Sequence, residues 1–343
     1  MAFFIVYFCV MPSLYSFIIP VYNRPEELRE LLHSICLQDK NIATEVIVVE
    51  DGSTLRSESV IHEFSVLNLQ YYYKENTGPG DSRNFGMQRA TGDYFIILDS
   101  DCILSPDYLT AVDQALNDAF VDCFGGPDGA HSSFDLRQKA ISFVMTSVLT
   151  TGGIRGSERK LKRFEPRSFN MGLSKKAFKE SNGFGDLHPG EDPELVHRLW
   201  DLGFETGYIT KALVYHKRRI TWKSYARQIY RFGLARSILN LWRPQYASWI
   251  FWLPLFIVTL GLASIICFTL DIYALIYLAL VYAVVIGFVG MLEIRSVKAI
   301  YVVPWTFSIQ TISYASGFFV GWLFLHVLKR DPNKEFSHMF FKQ

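Results

Sequence analysis

An α/β domain with a largely parallel sheet, followed by an all-α membrane region, is the architecture this sequence predicts. Three observations predict it. Short apolar runs alternate with helix-period segments between Leu14 and Leu98, two of those runs stop at acidic residues, and the chain is almost continuously apolar from Trp249 to Leu328. Strands that alternate with helices favour a parallel sheet with helices on both faces, because each strand needs a crossover to return in the same direction.

Residues 1–13 read as an N-terminal extension. Met1 to Val10 is apolar but short of the roughly 20 residues that cross a bilayer, and it has no basic leader or small-residue cleavage site. Met11 is an alternative start. Leu14 to Pro20 (LYSFIIP) reads as a buried strand, and Pro25 opens a helix in which Leu28, Leu31, Leu32 and Ile35 follow at helical spacing. Glu45 to Val49 is a second strand, closed by Glu50-Asp51-Gly52-Ser53. Leu69 to Tyr73 is a third strand, Ser82 to Ala90 a helix, and Tyr94 to Leu98 a fourth strand that stops at Asp99-Ser100-Asp101. Thr150 to Arg163 is Gly-rich and basic, a loop composition. Phe169 to Leu173 reads as a strand, Pro193 to Leu202 as an amphipathic helix, and Ala212 to Tyr215 as the last strand of a domain covering 14–216.

Lys217 to Arg243 carries eight Lys/Arg residues among aromatics. That mixture predicts basic amphipathic helices, over 217–246, lying at a membrane interface. The membrane region, 247–328, divides into spans at about 248–270, 272–292 and 299–328, and a polar tail, 329–343, closes the chain. With the basic stretch cytoplasmic, the Arg295 loop is cytoplasmic as well and the tail falls outside, against the positive-inside rule. Either the third span is partly re-entrant around Pro304 or the count is off by one.

Composition narrows the function. Of 343 residues half are hydrophobic, and the mean hydropathy of +0.16 is high for a wholly soluble protein. A net charge of +1 argues against nucleic acid as partner. The five cysteines are scattered and odd in number. Without a CxxC pair, neither a disulfide framework nor a thiolate zinc site is expected, and a reducing compartment fits.

In parallel sheets ligands sit beyond the carboxyl ends of the strands, which is where Asp51, Asp99 and Asp101 fall. Two carboxylates one residue apart, just past a strand, can reach a common hard cation such as Mg²⁺ or Mn²⁺. The plain alternative is that acidic residues merely end a strand. Asp192, ahead of Pro193 and a helix, has the pattern of an N-cap.

The ordered set IIPVYNRPEEL (18–28), EVIVVEDGS (45–53), NTGPGDSRNFGMQRATGDYFIILDSD (76–101), FNMGLSKKAF (169–178) and GEDPEL (190–195) resembles a family 2 glycosyltransferase with a GT-A fold. The similarity covers about residues 14–240. It implies an inverting, metal-dependent enzyme that takes a sugar from a nucleotide-diphosphate donor, with a UDP-sugar favoured. Pro20 and Tyr22 would line the nucleoside pocket, Asp51 would bind the base, and Gly80 and Arg83 would border the nucleotide. Asp99 would meet the ribose or metal, Asp101 would coordinate Mg²⁺ or Mn²⁺, and Asp192 would be the general base with Glu191 as the fallback.

The resemblance extends to His216, which would complete the metal shell, with Arg218 and Arg219 holding the leaving diphosphate; a membrane-facing basic patch is the other reading. Asn170 would lie near donor sugar or acceptor. Gln228-Ile229-Tyr230-Arg231-Phe232 resembles the QxxRW signature of processive polysaccharide synthases, with Phe in place of the final Trp. The anchor suggests a lipid-linked or glycan acceptor in surface polysaccharide assembly, at the plasma (inner) membrane with the catalytic domain cytoplasmic. A polyprenyl-phosphate glycosyltransferase, a processive synthase and a non-catalytic polysaccharide assembly subunit are the rival readings.

Overall fold

The computed structural model describes residues 12–151, 164–217, 221–269 and 273–341. The extension up to Met11, most of the Gly-rich basic loop, Arg218, Arg219 and the link at Asp271 lie outside the described residues. Strands are β1 (Tyr15–Val21), β2 (Thr44–Asp51), β3 (Leu69–Lys74), β4 (Tyr94–Leu98), β5 (Cys102–Leu104), β6 (Cys123–Gly125), β7 (Asn170–Ser174), β8 (Thr206–Tyr208) and β9 (Val214–His216). The longer helices are α1 (Pro25–Cys36), α2 (Pro79–Arg89), α3 (Tyr108–Asp118), α4 (Leu136–Thr146), α5 (Lys175–Ser181) and α6 (Glu191–Asp201). They continue with α7 (Trp222–Trp242), α8 (Leu253–Thr269), α9 (Ala274–Ile294) and α10 (Ala299–Trp322). Two compact units result, and the division falls inside α6 and near the end of β9.

The first unit is built on a seven-stranded sheet of order β3-β2-β1-β4-β7-β6-β8. β1 to β4 are parallel, β7 runs antiparallel to both its neighbours, and β6 and β8 are parallel to each other. The sheet is therefore mixed. Alternation sorts its side chains: Phe17, Ile19, Val46, Val48, Ile96 and Leu98 join Leu28, Leu31, Val112 and Leu116 of α1 and α3 in one buried cluster. On the other face α2 comes so close that a Cβ on Gly86 would stand 2.9 Å from the Ile18 side chain and 3.3 Å from that of Val49. Helices thus cover both faces, as the alternating pattern predicts. β5 and β9 are neighbours in a second, smaller sheet.

The boundaries shift for local reasons. α2 begins at Pro79, three residues before the sequence pattern suggests, because Gly78 enters at φ +98° and Pro79 takes the first turn, where a missing N–H costs nothing. β6 and β8 span three residues each, too short for alternation to register.

The second unit is helical. α4 is opened by a capping box in which Asp135 accepts from the Gln138 backbone and Gln138 reaches back. Its Ala140, Phe143 and Val144 pack with Ile286, Ala299, Val303 and Phe307 of α9 and α10. α7 is buried on all sides from Gly233 to Leu239. Its approach to α10 is close enough that a Cβ on Gly317 would lie 2.0 Å from the Tyr230 carbonyl oxygen, and one on Gly233 2.3 Å from that of Tyr314. Ser237 Oγ donates to Phe318 O at 2.8 Å across the same seam. Small residues spaced by four along both helices permit this backbone contact. Among the described residues one helix, α9, is long and apolar enough to cross a membrane, with a mean hydropathy of 2.5 in its best window; Trp249–Ser264 is a shorter apolar helix. α10 continues through Pro304 and ends in a π-helical turn, Leu323–Val327. The tail turns back: Phe336 and Met339 pack with Leu187, Leu234, Ala235, Ile238, Leu239 and Leu325.

Candidate active site

Because β1 to β4 are parallel, their carboxyl ends share one edge of the sheet, where Asp51, Lys74 and Asp99 fall. Asp51 closes β2 and is 4% exposed. One carboxylate oxygen accepts from Lys74 Nζ at 2.7 Å and from Thr77 N at 3.0 Å; the other accepts from Gly78 N at 3.0 Å. The register pairs Asp51 with Lys74, the last residue of β3, so the ion pair is a consequence of strand alignment. Lys74 Nζ also lies 3.1 Å from Asp81 and donates to Thr77 Oγ1 and Glu75 O.

Past β4, Asp99 accepts from Arg83 Nη2 at 2.7 Å. Arg83 is 3% exposed on a side-chain basis while Asp99 is 32% exposed, so the guanidinium is the fixed partner and the carboxylate the reachable one. The Arg83 guanidinium also stands over the Phe184 ring at 5.2 Å. Asp101, nearly buried, forms an ion pair with Arg24 at the end of the β1 loop. Burial alone lowers the Arg24 pKa; Asp101, with Glu27 and Asp99 beyond, outweighs it and raises that pKa. Pro20 lies within β1 opposite Val49, Tyr22 is exposed just beyond it, and Gly80 is buried in the first turn of α2.

Sequence reasoning missed Arg24, Lys74 and Asn23. Asn23 sits at φ +55°, and its side-chain oxygen accepts from the backbone N–H of Thr54 and Leu55, which ties the β1 loop to the loop after Asp51. The signal available was only that Asn23 and Arg24 lie inside the NRPEEL segment and that Lys74 ends a strand beside Asp51.

Asn170 is used internally. Its Oδ1 accepts from Tyr108 OH at 2.7 Å, and its Nδ2 donates to Ala212 O at 2.8 Å. The Cys123 thiol is pushed up by burial, which suits an inert core residue.

β5 starts at Cys102 and its neighbour β9 ends at His216, and ligand atoms of Asp101, Cys102 and His216 lie within 4.8 Å of one another. The Asp101 and His216 donors suit a divalent cation. The Cys102 thiol points to Phe169 O at 3.4 Å and is the weakest candidate of the three. Asp99 stands outside that group, facing Arg83.

The remaining candidates belong to the second unit. Glu191 is buried at the start of α6, where its carboxylate accepts from Gly190 N at 3.0 Å and meets His188 Nδ1 at 3.0 and 3.1 Å. Asp192 is half-buried. It sits inside the first turn of α6 and not before it as an N-cap would, because Gly190 at φ +126° makes the entry. Gln228 is exposed on α7 and Arg231 half-buried.

Residues 16–181 match the family model described as Glycosyl transferase family 2. The matched stretch contains Asp51, Asp99 and Asp101 and ends with α5. Among relatives, glycosyltransferase GlyA of Streptococcus pneumoniae is 41% identical over 95 residues, 27% of this chain and 13% of that protein. Chondroitin synthase of Escherichia coli is 28% identical over 241 residues, 59% of this chain and 34% of that protein. The chain spans less than two thirds of the length of the curated relatives it matches, between 13% and 53%. Among solved structures, the mannosyltransferase PcManGT of Pyrobaculum calidifontis, in complex with GDP-Man and Mn²⁺, superposes with a TM-score of 0.50 at 16% identity, over 96% of this chain and 84% of that one. That likeness concerns the fold.

Proposed function

We propose that this chain is an inverting, metal-dependent glycosyltransferase that moves a sugar from a nucleotide-diphosphate donor to a membrane-associated acceptor. The observation that carries the reading is the gathering of Asp51, Asp99 and Asp101, each with its own cation, at the carboxyl edge of β1 to β4 in a domain that matches family 2. Pro20, Tyr22, Asp51, Gly80 and Arg83 bind the nucleoside and ribose, with Asp99 the reachable carboxylate among them. Asp101 and His216 hold Mg²⁺ or Mn²⁺, which supplies Lewis-acid stabilisation of the leaving diphosphate when bound. Asp192, with Glu191 beside it, takes the proton of the acceptor hydroxyl as that oxygen bonds to the anomeric carbon. The carbon–oxygen bond to the diphosphate breaks on the opposite face, and its electron pair leaves with the nucleotide.

A UDP-sugar is the first donor to test, with GDP- and dTDP-sugars after it. Donor hydrolysis or transfer that needs Mn²⁺ or Mg²⁺ and stops on chelation supports the reading; no diphosphate release with any nucleotide sugar and either metal overturns it. Similarity to a chondroitin synthase over most of the chain, together with Gln228 and Arg231 on α7, favours a processive synthase as second reading. Product length separates the two: one added sugar or a polymer.

The membrane reading rests on α8 and α9, whose Phe256, Leu260, Leu262, Leu278, Leu280 and Val281 are exposed. Within the same unit the tail returns to residues 186–188, so the chain between α7 and the tail crosses a bilayer an even number of times or not at all. An α8–α9 hairpin that enters from the cytoplasmic face of the plasma membrane and returns satisfies this and keeps the tail with the catalytic side. A C-terminal tag reached by protease only from the cytoplasmic face agrees with that topology; digestion from the outer face refutes it.

A further inference from the structure

We propose that the C-terminal segment Phe336–Phe341 is a strap that positions the acidic pair Glu191-Asp192, acting through His188 as a positioning residue. The proposal rests on the general-base reading of Asp192 and adds to it the device that holds that base in place.

The segment forms a short antiparallel pairing with the loop ahead of α6. His188 N donates to Met339 O at 2.7 Å and Phe341 N donates to Asp186 O at 3.0 Å, with Leu187 and Phe340 bridged between them. The His188 ring lies 5.4 Å from that of Phe341. His188 therefore has its backbone tied to the tail and its Nδ1 tied to both oxygens of the Glu191 carboxylate, at 3.0 and 3.1 Å. Asp192 is the next residue in the same first turn.

The strap is itself anchored. Met339 and Leu187 are buried against Leu234, Ala235, Ile238 and Leu239 of α7, with Phe336 and Leu325 beside them. The loop it holds has a glycine at each end, Gly185 and Gly190, and the second is at φ +126°, a conformation with low intrinsic preference for any one path. A loop of this kind needs an external partner to fix the helix that follows, and a catalytic group misplaced by about 1 Å loses on the order of a hundredfold in rate. A tail that served only packing would need its apolar residues; the paired backbone groups and the His188–Glu191 contact add direction.

The test uses the full chain in membranes or detergent and measures kcat, donor KM and thermal midpoint for His188→Ala, His188→Asn, Phe341→Pro and Asp192→Asn. Phe341→Pro removes the N–H given to Asp186 without removing the anchor residues. The expected result is a fall in kcat of about ten- to a hundredfold for His188→Ala and Phe341→Pro, with donor KM within about twofold of the parent. His188→Asn, whose Nδ2 overlays the imidazole Nδ1, recovers most of the loss. Loss of activity in Asp192→Asn with none in His188→Ala or Phe341→Pro overturns the strap alone. Full activity in Asp192→Asn overturns the base reading, and the strap with it.

Discussion

Asp51→Ala should unfold the α/β unit more readily, in addition to any loss of nucleotide binding. The carboxylate accepts one charged hydrogen bond, from Lys74, and two from the backbone of Thr77 and Gly78, and it is almost fully buried. Removing it leaves the Lys74 ammonium without its nearest carboxylate and two N–H groups without acceptors at the entry to α2. Stranding one partner of a buried pair costs about 3–5 kcal/mol, and each buried N–H left unpaired about 1–3 kcal/mol. Lys74 keeps Asp81 at 3.1 Å and the Glu75 carbonyl, and water reaches the rim, so the loss falls below the sum of these terms, to about 3 kcal/mol. For a unit of this size that lowers the thermal midpoint by roughly 6–12 °C. Circular dichroism melts of the parent, Asp51→Ala, Lys74→Ala and the double variant measure it, and the double-variant cycle isolates the pair. Asp51→Asn keeps one acceptor but turns an NH2 toward a backbone N–H, so it should recover only part of the loss. An Asp51→Ala melt within about 1 °C of the parent, or a coupling to Lys74 near zero, refutes the anchoring role.

Three other outcomes follow from the same geometry. Glu45 is desolvated, which raises its pKa, yet hydrogen bonds from Ser16, Gly92 and Thr91 win and hold it below the usual carboxylate range. Its stabilisation is therefore complete above the unfolded pKa of about 4.3 and fades as pH falls through the folded value; Glu45→Gln should flatten the acid limb of a stability–pH profile, and an unchanged limb contradicts this. Gly317→Val pushes a branched side chain into the Tyr230 carbonyl, where even a Cβ would stand 2.0 Å away, so the helical unit should lose about 1–3 kcal/mol or more, read as a lower midpoint in detergent. Asp101→Asn should reduce Mn²⁺- or Mg²⁺-dependent turnover at least about a hundredfold while the α/β unit keeps its fold; turnover within a few-fold of the parent speaks against Asp101 as a metal ligand.

How far the sequence could be read depended on how local each feature was. Phe17, Ile19, Val46 and Val48 alternate within single strands, and Leu28, Leu31 and Leu32 repeat within a single helix, so β1, β2, β4 and α1 appear in the pattern at nearly their observed bounds. The acidic strand ends were legible for the same reason: Asp51 and Asp99 follow apolar runs directly. Their cations were not. Lys74 meets Asp51 only because β3 lies next to β2 in register, Arg83 meets Asp99 across α2 and β4, and Arg24 meets Asp101 because β1 and β4 are adjacent while far apart in the chain. Strand order is a property of the assembled sheet, so no window of sequence displays it. Asn170 illustrates the converse: its place in a family-like segment suggested substrate, whereas Tyr108, Pro127 and Ala212, each distant in sequence, occupy its amide. The same distance hid the tail. Its residues lie within 329–343, which reads as a polar tail, and only the fold brings Met339 and Phe341 beside Asp186 and His188. Local chemistry therefore marks where a site begins, and the pairings that charge, align and steady it come from contacts no neighbouring residue can announce.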